Sequence, residues 1–277
     1  MTENWSLLEA ARIFFETIYN DLRGEAVMRQ KLFGAPPLTQ KSLDAAGRTV
    51  TWLEAAQAKN LPPVIFLHGT PGSALDWAWL LKNAAKKYTL AAVDRPGFGL
   101  EDKNAPRLQN DMETLAIVLA QYANDEQKPV IVGHSLGGGL AARLAADYPD
   151  KVGGLVLVGA SLDPALERIL PVQRLFAAPP LSCLLTFSLR NSNIELLQYI
   201  DFLNDLRPRL PRITCPVTVL HSRDDRLVPY ANVDYIEKNF TNAAAMNIRS
   251  FDTGGHFLNK TRTGDVLDAL SIPRSSR

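Results

Sequence analysis

The sequence predicts an α/β fold in which a mostly parallel β-sheet is covered by helices on both faces. Short apolar runs of strand length alternate with longer segments of helical periodicity along most of the 277 residues. Such alternation favours parallel strands joined by crossover helices. Hydrophobic residues make up 46% of the chain, which is enough for a large buried core. One long segment that contains several prolines interrupts the alternation.

Residues 1–37 are predicted to form an N-terminal helical segment. Between residues 5 and 32, apolar side chains recur at steps of three and four positions, namely Leu8, Ala11, Phe15, Ile18 and Leu22. Two prolines, Pro36 and Pro37, end this amphipathic pattern. We expect the helix to dock on the rest of the protein or to form part of a lid. Its polar face is not dominated by Lys and Arg, which argues against a peripheral membrane anchor.

The predicted strands follow from residue 38 onward. They span residues 38–45, 49–56, 64–67, 88–93, 130–132, 155–158, 217–220 and 248–251. The first two flank Ala46-Gly47-Arg48 and are predicted to form a hairpin. Helical periodicity covers residues 73–87, 110–124, 138–148 and 230–239. In the second of these helices, Asn110 followed by Glu113 is typical of a capped helix start.

Residues 161–213 contain no good strand pattern. Helical patterns alternate there with six prolines, and the segment is longer than an ordinary crossover connection. We predict a helical cap, or lid, inserted into a core formed by residues 38–160 and 214–277. Its Phe176, Phe187 and Phe202 are candidates either for an apolar substrate pocket or for the packing core of the lid itself.

The composition argues against several classes of function. Thirty basic and 29 acidic residues give a net charge of +1, so no broad basic surface for nucleic acid or anionic membranes is expected. Cys183 and Cys215 lie in no CxxC or Cys/His cluster, which argues against a disulfide framework and a zinc site. The chain start lacks the features of a signal peptide, and no apolar run has the length of a membrane span. We expect a cytoplasmic protein that needs no cofactor or metal and whose partner is a small molecule.

The most informative motif is the pentapeptide Gly133-His134-Ser135-Leu136-Gly137. It follows an apolar run and precedes an alanine-rich helical segment, which is the strand–turn–helix context that exposes a nucleophilic serine. Glycines on both sides suit a turn too tight for Cβ atoms. The N-terminus of the following helix favours negative charge that develops beside it. We predict Ser135 as a nucleophile.

A serine hydroxyl needs a base within hydrogen-bonding reach, and the chain has four histidines. His68 and His134 lie within glycine-rich turns, and His221 ends a predicted strand, so we expect structural positions for these three. His256 follows the last predicted strand in a glycine loop that can lay an imidazole over the end of the sheet. We predict His256 as the general base.

A carboxylate is needed to orient the histidine and to stabilise its charged form. Asp224 and Asp225 follow the strand at 217–220, and Asp163 follows the strand before it. The spacing to Val228-Pro229 favours Asp225 over its neighbour, and Asp163 is a remote third candidate. Ser135, Asp225 and His256 then occur in the chain order of nucleophile-elbow enzymes.

A tetrahedral intermediate also needs preorganised donors for its oxyanion. The N–H of Leu136, directly after the nucleophile, is one candidate. The turn at residues 68–72 supplies the second, for which we predict the N–H of Thr70, since the glycines there let the backbone approach a substrate. We further predict that Gly69, His134 and Phe98 contribute to substrate binding.

These motifs occur together in an order that resembles the α/β-hydrolase superfamily over roughly residues 40–270. They are HGTPG at 68–72, DRPGFG at 94–99, GHSLGG at 133–138, Asp225-x-x-Val228-Pro229 and Gly255-His256. The resemblance implies an eight-stranded sheet, a helical cap and a structural role for residues 94–99 near the site. The serine at the elbow argues against the similar haloalkane dehalogenases and epoxide hydrolases, which place an aspartate there.

We therefore predict a serine hydrolase that cleaves carboxylic esters of small to medium, largely apolar substrates through an acyl-enzyme. A C–C bond hydrolase or an acyltransferase with the same Ser-Asp-His triad is an alternative within this class. A non-catalytic ligand sensor is the alternative from a different class, since a fold does not by itself fix a function.

Overall fold

A computed structural model describes residues 38–55, 61–99, 102, 104–124 and 127–271. The predicted N-terminal helical segment, residues 1–37, lies outside these described residues. Within them, eight strands form a single sheet with helices packed on both faces. This arrangement confirms the predicted α/β fold. No helix in the described ranges has both the length and the apolar character needed to cross a membrane.

The sheet is antiparallel at one edge and parallel elsewhere. Its strands are β1 (Thr39–Ala45), β2 (Arg48–Ala55), β3 (Val64–Leu67), β4 (Leu90–Asp94), β5 (Val130–His134), β6 (Gly154–Val158), β7 (Val217–Ser222) and β8 (Met246–Phe251). They lie in the order β1-β2-β4-β3-β5-β6-β7-β8. The pairs β1–β2 and β2–β4 are antiparallel, and the remaining neighbours are parallel. The carboxyl ends of β3 to β8 therefore meet at one edge.

The helices in the described ranges are α1 (Ala78–Ala84), α2 (Leu108–Tyr122), α3 (Leu136–Asp147), α4 (Pro171–Leu175), α5 (Phe187–Leu206), α6 (Ala231–Asn239), α7 (Leu258–Thr261) and α8 (Thr263–Ala269). Short 3₁₀ turns at Ala74–Trp77, Pro149–Lys151, Leu181–Leu184 and Arg207–Arg212 accompany them. The predicted helix at 73–87 is thus a capped 3₁₀ turn followed by α1.

Two apolar layers hold the sheet between the helices. Side chains of α2, α3, α5 and α6 pack against one face, and those of α1 and α8 pack against the other. Successive side chains of a strand point to opposite faces. On β5, Ile131 accordingly joins the first layer, and Val130 and Val132 join the second. A strand buried on both faces explains why this run is continuously apolar rather than alternating.

The predicted hairpin joins β1 to β2. Ala45 pairs with Arg48, and the two residues between them have positive φ angles, 51° at Ala46 and 74° at Gly47. A two-residue turn with both φ angles positive matches the right-handed twist of antiparallel strands. This turn fixes the register along the whole hairpin.

The predicted capping box at Asn110 is wrong, because α2 begins two residues earlier, at Leu108. The Asp111 carboxylate accepts a hydrogen bond from the backbone N–H of Arg107 at 2.7 Å. The N–H of Leu108 donates to the side chain of Gln198 on α5 at 3.1 Å. A tertiary partner thus satisfies one of the helix-end donors that a local cap would otherwise take.

Residues 161–213 lie between β6 and β7 and contain α4, α5 and 3₁₀ turns, without a strand. We refer to them as the insertion. Its helix α5 is part of the core, since Tyr199, Phe202 and Leu203 belong to the apolar layer on that face of the sheet. Phe202 therefore packs in the interior, whereas Phe176 and Phe187 are half-buried.

Candidate active site

Ser135 occupies a sharp turn between β5 and α3. Its backbone has φ 54° and ψ −126°, a conformation that residues other than glycine adopt only at an energetic cost. Its N–H donates to the carbonyl of Val158 on β6 at 3.1 Å, and its side chain remains partly exposed. The turn is therefore held by the neighbouring strand with the serine at its apex.

The glycines on either side of the serine are required by close backbone packing. A Cβ atom on Gly133 would lie 2.4 Å from the carbonyl oxygen of Gly137, and a Cβ on Gly137 would lie 2.4 Å from that of His68. Neither oxygen belongs to a side chain that could move aside. The G-x-S-x-G pattern is thus explained by the approach of α3 to β5 and to the turn after β3.

His256 and Asp225 form a buried hydrogen-bonded pair beyond the ends of β8 and β7. The distance from His256 Nδ1 to Asp225 Oδ2 is 2.8 Å. The other carboxylate oxygen accepts the N–H groups of Leu227 and Val228, each at 2.9 Å. Burial by itself raises the pKa of Asp225, but the hydrogen bonds and the charge of the imidazole outweigh it and hold the pKa below its usual value.

The other two candidate acids bond elsewhere. Asp224 accepts the N–H of Gly255 at 2.9 Å and the hydroxyl of Ser222. Asp163 accepts the N–H of Ala165 at 2.9 Å. Of the three candidates, Asp225 is the one whose carboxylate meets His256.

His134 connects the serine turn to the histidine loop. Its Nε2 lies 3.0 Å from the carbonyl oxygen of His256, and the two rings are in contact, with their centroids 4.8 Å apart and their planes tilted by 42°. Burial lowers the pKa of His134 to about 3, so the ring is neutral and Nε2 donates the hydrogen bond. The residue directly before Ser135 therefore fixes the backbone of His256.

His221 supports the acid loop from within. Its ring is fully buried, with Nε2 2.9 Å from the carbonyl oxygen of Val228 and 3.6 Å from Asp225 Oδ2. Burial lowers its pKa, which keeps the ring neutral. His221 thus holds the same short segment whose N–H groups bind the Asp225 carboxylate.

The turn after β3 lies against the serine. A Cβ atom on Gly69 would be 3.0 Å from the Cβ of Ser135. Thr70 follows it, is half-buried, and has a hydroxyl without a hydrogen-bond partner among the described residues. Leu136 is the first residue of α3, and N–H groups in the first turn of a helix have no partner within the helix. Both predicted oxyanion donors therefore belong to segments that meet at Ser135.

Two further residues at this site, Glu195 and Tyr199, were not predicted, and Arg95 lies in the segment 94–99 for which a structural role was expected. Arg95, after β4, forms a buried ion pair with Glu195 of α5 and donates from Nη2 to the carbonyl oxygen of Gly69 at 2.8 Å. Tyr199, also on α5, donates to the carbonyl oxygen of Ser161 at 2.6 Å. No local pattern could reveal the ion pair, because its partners lie 100 residues apart in the chain.

Phe98, predicted to contribute to substrate binding, is 6% exposed. Its ring lies 4.8 Å from the Arg95 guanidinium and 5.5 Å from the ring of His68. Phe98 therefore packs against Arg95 and His68, the two side chains that hold the Gly69 carbonyl in place. Within the described ranges, no group of three or more His, Cys, Asp or Glu side chains could hold a metal ion.

The strand order of the sheet and the strand–turn–helix around Ser135 fit a known fold. A family model described as alpha/beta hydrolase fold matches residues 62–181. The chain has the α/β-hydrolase fold. The matched region contains Ser135 and the turn at Gly69, whereas Asp225 and His256 lie beyond it.

Individual proteins resemble this chain in part or along most of its length. An esterase of Mycobacterium tuberculosis is 44% identical over 114 residues, which are 39% of this chain and 36% of that protein. A non-heme chloroperoxidase of Streptomyces lividans is 28% identical over 77% of this chain and 92% of its own length. Several relatives are matched over only 25% to 36% of their length.

The fold likeness extends to solved structures. The crystal structure of a serine hydrolase from Cycloclasticus zankles superposes with a TM-score of 0.62 at 19% identity. That comparison covers 84% of this chain and 96% of the other. At this level of identity the likeness supports the fold, and the chemistry must be argued from the site itself.

Proposed function

We propose that this α/β-hydrolase cleaves carboxylic esters in two steps through an acyl-enzyme on Ser135. The hydrogen bond between His256 Nδ1 and the buried Asp225 carboxylate, 2.8 Å long, carries the proposal. It fixes the tautomer of the imidazole, so that Nε2 is the nitrogen that accepts a proton. The lowered pKa of Asp225 keeps its carboxylate charged beside the imidazolium that forms during the reaction.

In the first step the Ser135 hydroxyl attacks the ester carbonyl while His256 takes its proton. The N–H groups of Thr70 and Leu136 bind the oxyanion of the tetrahedral intermediate, where each such donor contributes about 3 kcal/mol of transition-state stabilisation. As the intermediate collapses, the C–O bond to the alcohol breaks. His256 gives its proton to the departing alcohol, and the acyl group stays on Ser135.

In the second step His256 activates a water molecule. The water oxygen bonds to the acyl carbon, the bond to Ser135 Oγ breaks, and the proton held by His256 returns to the serine. The carboxylic acid is released and the enzyme is restored. Both steps use the same donors and the same base, so one site is sufficient for the whole reaction.

We propose small to medium, largely apolar esters as substrates. The insertion supports this choice, because it exposes large apolar side chains, namely Leu170 (43%), Val172 (50%), Leu175 (59%) and Leu184 (74%). Exposed apolar residues in a segment beside a site favour apolar ligands. Both cysteines are free thiols, which supports a cytoplasmic, reducing location.

A covalent probe and a substrate series test the proposal together. The wild-type protein and its Ser135→Ala variant are incubated with a fluorophosphonate, and nitrophenyl esters of increasing acyl length are offered to both. We expect labelling at Ser135, hydrolysis with an optimum chain length, and neither activity in the variant. An unlabelled wild-type protein that turns over no ester would refute the proposal. Labelling without ester turnover would favour the C–C bond hydrolase or the acyltransferase.

A further inference from the structure

A buried ion pair joins the insertion to the turn that precedes the serine site. Arg95 and Glu195 are each 1% exposed, and the guanidinium meets the carboxylate through Nη1 and Nη2, the latter at 3.0 Å. Removing two charges from water carries a desolvation cost that largely cancels their attraction, so such a pair contributes little net stability. The pair lies beside the turn at Gly69, where it can orient the backbone next to the serine.

The Arg95 side chain also binds the backbone of the turn. Its Nη2 donates to the carbonyl oxygen of Gly69 at 2.8 Å. The same oxygen lies 2.7 Å from Nδ1 of His68. His68 is itself oriented by the backbone N–H of Arg95, which donates to its Nε2 at 3.1 Å and leaves the ring proton on Nδ1. Arg95 therefore fixes the Gly69 carbonyl directly and through His68.

Fixing this carbonyl also fixes the N–H of Thr70. The peptide between Gly69 and Thr70 is trans, and the C=O and N–H of a planar trans peptide point in opposite directions. With the Gly69 oxygen held by two donors, the Thr70 N–H is turned away from Arg95. Gly69 lies directly beside the serine, with its ideal Cβ 3.0 Å from that of Ser135.

We propose that Arg95 is a positioning residue that aims the Thr70 N–H at the oxyanion, and that Glu195 of the insertion holds Arg95 in that position. The inference rests on the proposed ester hydrolysis, in which Thr70 binds the oxyanion. It makes the donor geometry of the site depend on the docking of α5. The charge of the guanidinium further polarises the Gly69–Thr70 peptide, which strengthens its N–H as a donor.

The test compares two pairs of substitutions on the same helix. R95M/E195M replaces the buried pair by apolar side chains of similar length, a change that cores often tolerate. R143M/D205N is the matched control, because Arg143 of α3 donates to Asp205 of α5 at 2.6 Å and so also anchors this helix. Melting temperature, kcat and KM for a nitrophenyl ester, and the backbone amide resonance of Thr70 are measured for both variants and the wild type.

We expect R95M/E195M to lose on the order of tenfold to hundredfold in kcat, less than the complete loss of a donor, with KM nearly unchanged. Its Thr70 amide resonance should shift. The control should keep the kcat of the wild type and the Thr70 resonance. A kcat equal to that of the wild type in R95M/E195M would overturn the inference. An equal loss of kcat in the control would also overturn it, because the effect of Arg95 would then be explained by anchoring α5 alone.

R95K covers the case in which R95M/E195M does not fold. Lysine keeps a charge for Glu195 but lacks the planar fork that reaches Glu195 and Gly69 together, so we expect the same fall in kcat. If the wild type cleaves no ester and Ser135 is not labelled, the proposed function fails. The Thr70 amide resonance then tests the positioning role of Arg95 independently of ester turnover. If this resonance is unchanged in both R95M/E195M and R95K, the positioning role is overturned.

Discussion

At the scale of single residues, the site depends on which of two adjacent aspartates faces the histidine. Asp224 and Asp225 follow the same strand, and the spacing to Val228-Pro229 only favours the second. The structure separates them by their partners, since Asp225 meets His256 and Asp224 meets the N–H of Gly255. Neighbouring residues on a turn point in different directions, and a sequence does not specify those directions without the turn geometry.

The variant D225N tests this assignment. The amide can still accept the N–H groups of Leu227 and Val228 through its oxygen, but its NH₂ then faces His256 Nδ1 and favours the wrong tautomer of the ring. We expect kcat for a nitrophenyl ester to fall by about 10³ to 10⁴, with the fold unchanged by circular dichroism.

D224N is the matched control for that measurement. Its oxygen can still accept the N–H of Gly255, and the residue has no contact with the imidazole among the described hydrogen bonds. We expect kcat close to that of the wild type. Equal, mild losses in both variants would contradict the assignment and point to Asp163.

At the scale of elements, the strand–turn–helix around Ser135 was predictable because local chemistry determines it. The strand is apolar, the turn is glycine-rich, and the glycines are required where α3 approaches β5. The start of α2 was not predictable in the same way. Asn110 and Glu113 are typical of a cap, but the N–H of Leu108 donates to a side chain of α5. The helix therefore begins at Leu108.

G137A tests the packing of the elbow. The added Cβ would lie 2.4 Å from the carbonyl oxygen of His68, so α3 must move away from the turn that carries Thr70. We expect the free energy of unfolding to fall by about 3 kcal/mol or more in urea titrations, and ester hydrolysis to be lost.

G264A is the matched control for G137A, and we expect it to change the free energy of unfolding in the opposite direction. Gly264 lies in α8, and an added Cβ there meets nothing within 4 Å. The alanine restricts the unfolded chain and suits a helix, so the free energy of unfolding should rise by about 0.5 to 1 kcal/mol. If both glycine variants changed stability in the same direction, crowding at the elbow would not explain the requirement for Gly137.

At the scale of the whole molecule, long-range ionic contacts tie separate elements together. Arg48 at the start of β2 pairs with Asp102 at 2.7 Å and with Asp111 of α2 at 2.9 Å. Burial raises the pKa of Asp111 to about 6, although its bonds to Arg107 and Arg48 oppose the shift. This network joins the hairpin to the helix layer on one face of the sheet.

A stability measurement as a function of pH tests the burial of Asp111. Because its pKa in the folded state lies above the reference value of 3.8, the folded state binds more protons between pH 3.8 and about 6. Its contribution to stability therefore falls as pH rises through this window. The free energy of unfolding of the wild type minus that of D111N should decrease by up to about 3 kcal/mol between pH 4 and pH 7. A difference that stays constant or increases would contradict the raised pKa.

The sequence by itself determined the local features of this protein. The alternation of apolar runs and helical patterns predicted the sheet, with β3 at residues 64–67 as expected and β8 beginning two residues earlier, at Met246. The motifs located Ser135, the turn at Gly69 and the loops of Asp225 and His256. Each of these depends on backbone sterics and burial within a few residues, which residue type and spacing encode directly.

Only the tertiary structure decided which distant groups meet. It brought Asp225 rather than Asp224 to His256, buried Phe202 in the core, and placed Arg95 between Glu195 and the carbonyl of Gly69. Such contacts depend on how the insertion packs against the sheet, and they join residues far apart in the chain. No local pattern records them, because the free energy that selects them comes from the packing of the whole molecule.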